Sequence, residues 1–186
     1  MKTSLLTLVI LGTLAFGNGP VRAQTCLYSV RGPVQTTLAW DQQYIGRYDR
    51  FLCLSDWGNA AVLDQETGLV WERAPSTATD AWPLALRDCR LALTGGRAGW
   101  RLPTEEELAT LLDPTQSFPA LPAGNPFQGT AADELFWTAS TVEEDASVAY
   151  LINFTSAQGF LSLEPKNNTE LRHWCVRGGS GAQNPQ

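Results

Sequence analysis

The sequence predicts an α+β domain, with two helices set among short β-strands and a framework of disulfides. Three observations point there. An export leader opens the chain, and the 163 residues left when 23 of the 186 are removed suit one domain of ordinary size. Four cysteines follow the leader, an even number. Beyond residue 59, hairpin and strand patterns are interleaved with two helix signals.

The leader has a short basic start at Lys2, an apolar run Leu5–Phe16, a break at Gly17–Pro20 and a small-residue cleavage site, Val21-Arg22-Ala23, before Gln24. The apolar run is shorter than the roughly 20 residues a membrane crossing needs, so cleavage is favoured over an uncleaved anchor. Ala23-Gln24-Thr25 lacks the small residue that a lipid-attachment signal places beside its cysteine. The expected products are a signal peptide at 1–23 and a secreted, periplasmic or cell-envelope chain with no membrane insertion after cleavage. Within that chain, 24–58 is expected to be an N-terminal extension packed on the domain, 59–179 the domain itself and 180–186 a disordered tail.

Removing Lys2 and Arg22 leaves 11 basic against 19 acidic residues, a net charge of −8. Such a surface repels nucleic acid and anionic lipid, and Lys166 is the sole lysine left. Cys26, Cys53, Cys89 and Cys175 read first as two disulfides in an exported chain, with three pairings open. No C-x-x-C occurs, and His173 is the single histidine. A zinc site drawing on four widely spaced thiolates lacks the close ligand pairs of structural zinc sites, so no metal and no cofactor is expected.

Residues 24–56 show no clear period, although Tyr28, Trp40, Tyr44, Tyr48 and Phe51 supply apolar surface. Ala60–Leu63, a turn at Asp64–Gly68 and Leu69–Trp71 read as a β-hairpin with Trp71 in the core. Residues 80–93 read as a first helix, capped by Asp80, with Pro83 in its first turn, apolar positions at Leu84, Leu86, Cys89, Leu91 and Leu93, and a stop at Gly95-Gly96. The second helix starts at Thr104. Thr104 and Glu107 have capping-box spacing, Glu105 to Glu107 oppose the helix dipole, and Leu108, Leu111 and Leu112 form one apolar face before Asp113-Pro114 stops it. Residues 113–134, with prolines at 114, 119, 122 and 126, read as a long irregular loop of the kind that often carries function. Strands follow at 135–138, 148–154 and 159–163, with a closing segment at 171–177.

Several segments recur in a family-like order: Thr67-Gly68-Leu69-Val70-Trp71-Glu72, the helix bearing Cys89, Gly99-Trp100-Arg101-Leu102-Pro103-Thr104 running into Glu107-Leu108, Phe136-Trp137-Thr138-Ala139-Ser140, and Cys175-Val176-Arg177-Gly178. Over about residues 59–179 the chain resembles the Legionella collagen-like protein (Lcl) C-terminal domain family of bacterial exported proteins. The resemblance implies a C-type-lectin-like fold, related in shape to sulfatase-modifying enzymes, in which two helices flank small, mostly antiparallel sheets beside a long loop region. It also implies Cys89–Cys175 and Cys26–Cys53 pairing. The first bridge closes an 86-residue loop, for which chain entropy gives roughly 4–5 kcal/mol. Two departures stand out. Glu164-Pro165-Lys166 is the nearest match to the calcium-ligand segment of sugar-binding C-type lectins, and it has lysine where an amide is wanted. A net −8 domain is also a poor match for the sulfated polysaccharides associated with a member of the family.

Catalytic groups are sparse. Any Ser-His or Cys-His nucleophile would need His173, which sits between Arg172 and Trp174 near a disulfide, and no G-x-S-x-G, P-loop or dinucleotide pattern occurs. No catalytic residue is assigned. Glu143, Glu144 and Asp145 form an acidic run that, with Asp133 or Glu134, is a candidate cation or ligand contact, although adjacent like charges more often face water. Trp71, Trp100, Trp137 and Trp174 fall in the recurring segments and read as core. Trp40, Trp57 and Trp82 are freer to stack on a ligand. The resulting expectation is a non-enzymatic recognition domain for a glycan or protein, with loops 113–134 and 141–147 as its binding face. The alternatives are a structural subunit of an envelope or appendage assembly and, third, a carboxylate-based hydrolase.

Overall fold

The computed structural model describes residues 26, 29–30, 50–130, 135–155 and 161–179. Chain order gives β1 (Ser29–Val30), β2 (Phe51–Leu54), β3 (Ala61–Asp64), β4 (Val70–Glu72), α1 (Trp82–Leu91), α2 (Glu105–Ala109), β5 (Leu135–Thr141), β6 (Val148–Asn153), β7 (Leu161–Pro165) and β8 (Val176–Arg177). Two sheets form, one in the order β1-β2-β3-β4-β8 and the other β5-β6-β7. Every pairing is antiparallel except β1 with β2. Single bridges, Arg101 with Val176 and Phe136 with Arg172, join the closing segment to the helix-entry loop and to the second sheet.

Alternation along the strands gives the larger sheet two buried faces. Cys53, Val62, Trp71 and Val176 face one apolar cluster, shared with Leu108 and Leu111 at α2 and with Phe127, Phe136, Phe154 and Trp174. Leu54, Ala61 and Val70 face a second cluster, shared with Ala85 and Cys89 of α1 and with Trp100, Trp137, Leu151 and Cys175. The α+β class thus holds, with one helix on each side. Trp174 centres the first cluster, 4.8 Å from the Phe127 ring and 5.8 Å from Trp71, and its indole N–H donates to the Glu72 carbonyl at 2.8 Å.

The predicted hairpin forms as β3–β4. Its turn is built on the fully buried Asp64 carboxylate, which accepts from Glu66 N–H, the Thr67 hydroxyl and the Arg50 guanidinium. The capping box at Thr104 also forms: Glu107 N–H donates to Thr104 Oγ1 and Thr104 N–H to Glu107 Oε2. Glu107 additionally takes a two-pronged contact from Arg101, at 2.6 and 2.7 Å. Gly179 lies on this pair, and a Cβ there would meet Glu107 Oε1 at 2.8 Å.

Other expectations are corrected. Asp80 does not cap α1; the cap position is Ala81, without a side-chain bond. The Asp80 backbone is taken instead by Leu171 O and by the Trp137 indole N–H. The helix ends at Leu91, short of Gly95-Gly96, which lie in a separate 3-10 turn where a Cβ on Gly95 would meet Trp57 Cβ at 2.7 Å. Leu91 and Leu93 are 69% and 68% exposed, and the buried face is Ala85 and Cys89, one turn apart. The strand β2 arises in a stretch that showed no readable period. Both disulfides form as the resemblance implied, Cys26–Cys53 and Cys89–Cys175, with Cα separations of 5.8 and 5.4 Å.

Candidate ligand-binding surface

The loop expected to form much of the binding face divides in two. Ala120, Leu121, Asn125 and Phe127 are buried, and Phe127 packs on Phe51 and Trp174. Ala120 N–H donates to Phe154 O and Gln128 N–H to Arg73 O, so the loop is fastened beside β6 and β4. Its middle fills the core, because Leu121 and Phe127 bury more apolar surface there than any turn could shield. Its first part stays outside, with Phe118 64% exposed.

Of the three freer tryptophans, Trp40 lies outside the described residues, as do Asp133 and Glu134. Trp57 is corrected to core. It is 8% exposed, edge-on to Trp100, and covered by the guanidiniums of Arg97 and Arg177 at 5.6 and 5.4 Å. Trp82 is half-buried at the start of α1, and its indole N–H donates to Thr138 O at 2.8 Å.

Trp82 nevertheless meets the acidic loop, through Lys166. The Lys166 ammonium lies 4.0 Å from the Trp82 ring centroid and donates to Thr141 Oγ1 at 2.9 Å and Ala146 O at 2.8 Å. The backbone repeats the link: Trp82 N–H donates to Lys166 O and Lys166 N–H to Ser147 O. One side chain thus pins the start of α1, the β5–β6 loop and the end of β7 into a corner. Glu143, Glu144 and Asp145 stand exposed on its rim. Ser147 donates its hydroxyl and amide to Asp145 Oδ1, at 2.6 and 2.9 Å, which holds that carboxyl below the usual aspartate range. Lys166 was legible only as a misfit in a calcium pattern. Its being the one lysine besides Lys2 was the signal available.

The Glu164-Pro165-Lys166 segment does not converge on a cation position. Glu164 Oε2 accepts from the Asn168 amide and Asn168 Oδ1 from Glu170 N–H. Among the described residues, one group of three His, Cys, Asp or Glu side chains has ligand atoms within 4.8 Å of one another: Cys89, His173 and Cys175, all buried. Glu72 lies against the same disulfide. Its oxygens accept from the Thr94 hydroxyl at 2.5 Å and from Cys175 N–H at 3.2 Å, and burial pushes its pKa up. Burial also lowers the His173 pKa, partly opposed by Asp80.

Compared with known proteins, the chain matches the family model of the Lcl C-terminal domain over residues 60–177, more than half its length. The match starts just before β3 and ends with β8, so it takes in both helices and the whole second sheet. No curated protein matches the chain.

Proposed function

The chain belongs to the Lcl C-terminal domain family, and from that premise we propose that it is an exported, non-enzymatic recognition domain of C-type-lectin-like fold. The family match is the observation that carries the reading. The two helices on either side of small sheets, and the bridge from Cys89 on α1 to Cys175 beside the last strand, support the fold. The disulfides suit an extracellular or envelope location.

The binding face in this reading is the Trp82–Lys166 corner with the rim 141–147. Its character favours a protein over a glycan. A sugar ring stacks on a bare aromatic face, but Trp57 is buried and the Trp82 ring carries Lys166. What remains outward is carboxylate, Glu143 and Glu144, on a chain of net charge −6. A basic protein surface fits it, with encounter steered by charge and weakened by salt. The non-enzymatic part is supported by His173, buried beside the disulfide, and by Glu72, whose oxygens are taken by Thr94 and Cys175. Protein and glycan arrays probed with the mature chain test the reading. Salt-sensitive binding to basic proteins is expected, and a domain that binds neither class contradicts it.

A structural subunit of an envelope or appendage assembly is the second reading. Leu161 and Leu163, 49% and 50% exposed on the edge strand β7, favour it. A stoichiometric partner recovered from envelope extract, unaffected by changes at the Lys166 corner, would select this reading.

A further inference from the structure

The Cys89–Cys175 bridge has an unused neighbour. His173 is 6% exposed, and its Nδ1 is buried without a hydrogen-bond partner. An imidazole nitrogen in that state costs stability unless something answers it. The two Sγ atoms of the bridge and one nitrogen of this imidazole all lie within 4.8 Å of each other. Asp80 Oδ2 stands 4.0 Å from Nδ1.

We propose that the dithiol form of this chain binds one zinc ion through Cys89, Cys175 and His173. Two thiolates and an imidazole are the ligand set of a d10, borderline-soft cation rather than of calcium or magnesium. Tetrahedral zinc places sulfur and nitrogen ligands roughly 3.3–3.8 Å apart. Reaching that from the disulfide requires the sulfurs to part and the imidazole to close in by about an ångström, while the Cα atoms, 5.4 Å apart, stay near where they are. The three ligands are almost fully buried, so the ion would be held away from water, and the Asp80 carboxylate is in reach of the fourth position or of the imidazole N–H. The sequence carries the signal as His173-Trp174-Cys175, a close ligand pair that a search for C-x-x-C passes over.

The chemistry balances. The chain is synthesised with thiols, and binding replaces two thiol protons with one zinc ion, releasing both protons. A disulfide-bearing oxidant then takes two electrons from the thiolates and two protons from the solvent, and leaves as a dithiol. Cys89–Cys175 forms and the ion is expelled. The site is therefore a holding state for the pair before oxidation, or after reduction.

The test uses the mature chain with Cys26→Ser and Cys53→Ser, so that one cysteine pair remains. A trialkylphosphine reduces it, taking its oxygen from water as the two thiols form. Zinc alone, and cobalt(II) as a spectroscopic stand-in, are titrated in, with metal content, thiolate-to-cobalt absorption and near-ultraviolet circular dichroism as readouts. One equivalent is expected in the dithiol form and none in the disulfide form. His173→Gln should weaken binding at least about tenfold while its oxidised form keeps the native dichroism. The fully reduced wild-type chain, with Cys89→Ser/Cys175→Ser as control, gives the same answer should the first variant not fold. A dithiol chain that takes up no metal, or that stays unfolded in zinc, overturns the proposal. So does His173→Gln binding as tightly as its parent.

Discussion

Replacing Glu107 with alanine tests how the recurring Trp-Arg-Leu-Pro-Thr segment holds the fold. The change removes the acceptor for Thr104 N–H and both acceptors for Arg101. Arg101 keeps the Leu102 and Gly178 carbonyls but loses its counter-charge, with its side chain only 18% exposed. Breaking a fully buried pair costs about 3–5 kcal/mol. With both side chains just under a fifth exposed, about 2–4 kcal/mol is the fair share here. The lost bond from Thr104 N–H adds about 1 kcal/mol, for a total of about 3–5 kcal/mol. At a urea slope of about 2 kcal/mol/M, the unfolding midpoint should fall by about 1.5–2.5 M. Glu107→Gln, which keeps one acceptor, should lie between. Combining Arg101→Met with Glu107→Leu should cost clearly less than the two single changes summed, by about 1–3 kcal/mol. A Glu107→Ala midpoint within about 0.5 M of the parent, or a strictly additive pair, would refute the reasoning.

Four further outcomes are expected. Chemical denaturation should show Cys89→Ala/Cys175→Ala losing about 4–5 kcal/mol and Cys26→Ala/Cys53→Ala about 3.5, following the 86- and 27-residue separations; the reverse order would contradict the entropy account. Trp57→Ala should cost about 3–5 kcal/mol as a core deletion, whereas Trp82→Phe should cost about 1–2 for its lost bond to Thr138 O. Leu91→Ser and Leu93→Ser should each stay within about 0.5 kcal/mol of the parent, since both side chains already face water. In a carboxyl NMR titration Asp145 should ionise below the ordinary 3.8, and Ser147→Ala should raise its midpoint. Because the folded pKa is depressed, the contribution of this contact is present above the ordinary pKa and is lost as pH falls through the folded one.

What the sequence made legible was local. The Thr104–Glu107 box and the Asp64–Gly68 turn form because residues two or three apart satisfy one another's backbone groups, whatever the surroundings. The α1 boundaries were not legible, because the Asp80 backbone is claimed by Leu171 of the closing segment and by Trp137 of β5, both far along the chain. Leu91 and Leu93 look like core by composition, but Leu91 stands two residues past Cys89 and so off the buried face of α1, and Leu93 lies beyond the helix end. Phe127 and Leu121 sit among prolines, and only the space beside Trp174 makes them core. At the candidate site the tryptophans were visible as residues, yet which of them is covered depends on Arg97, Arg177 and Lys166 arriving from elsewhere.

The central claim is that the corner pinned by Lys166 is a recognition surface. Its most direct test compares the mature chain with Lys166→Glu and Glu143→Arg/Glu144→Arg variants, after equal thermal midpoints have shown equal folding, for binding to a basic protein identified on the array. The account predicts that the double arginine variant loses at least about tenfold in affinity, the size of one lost charged contact, and its salt dependence with it, whereas Lys166→Glu, which adds negative charge beside the rim, tightens binding to the basic partner. Parental affinity in both folded variants would contradict it and move the binding face elsewhere on the domain.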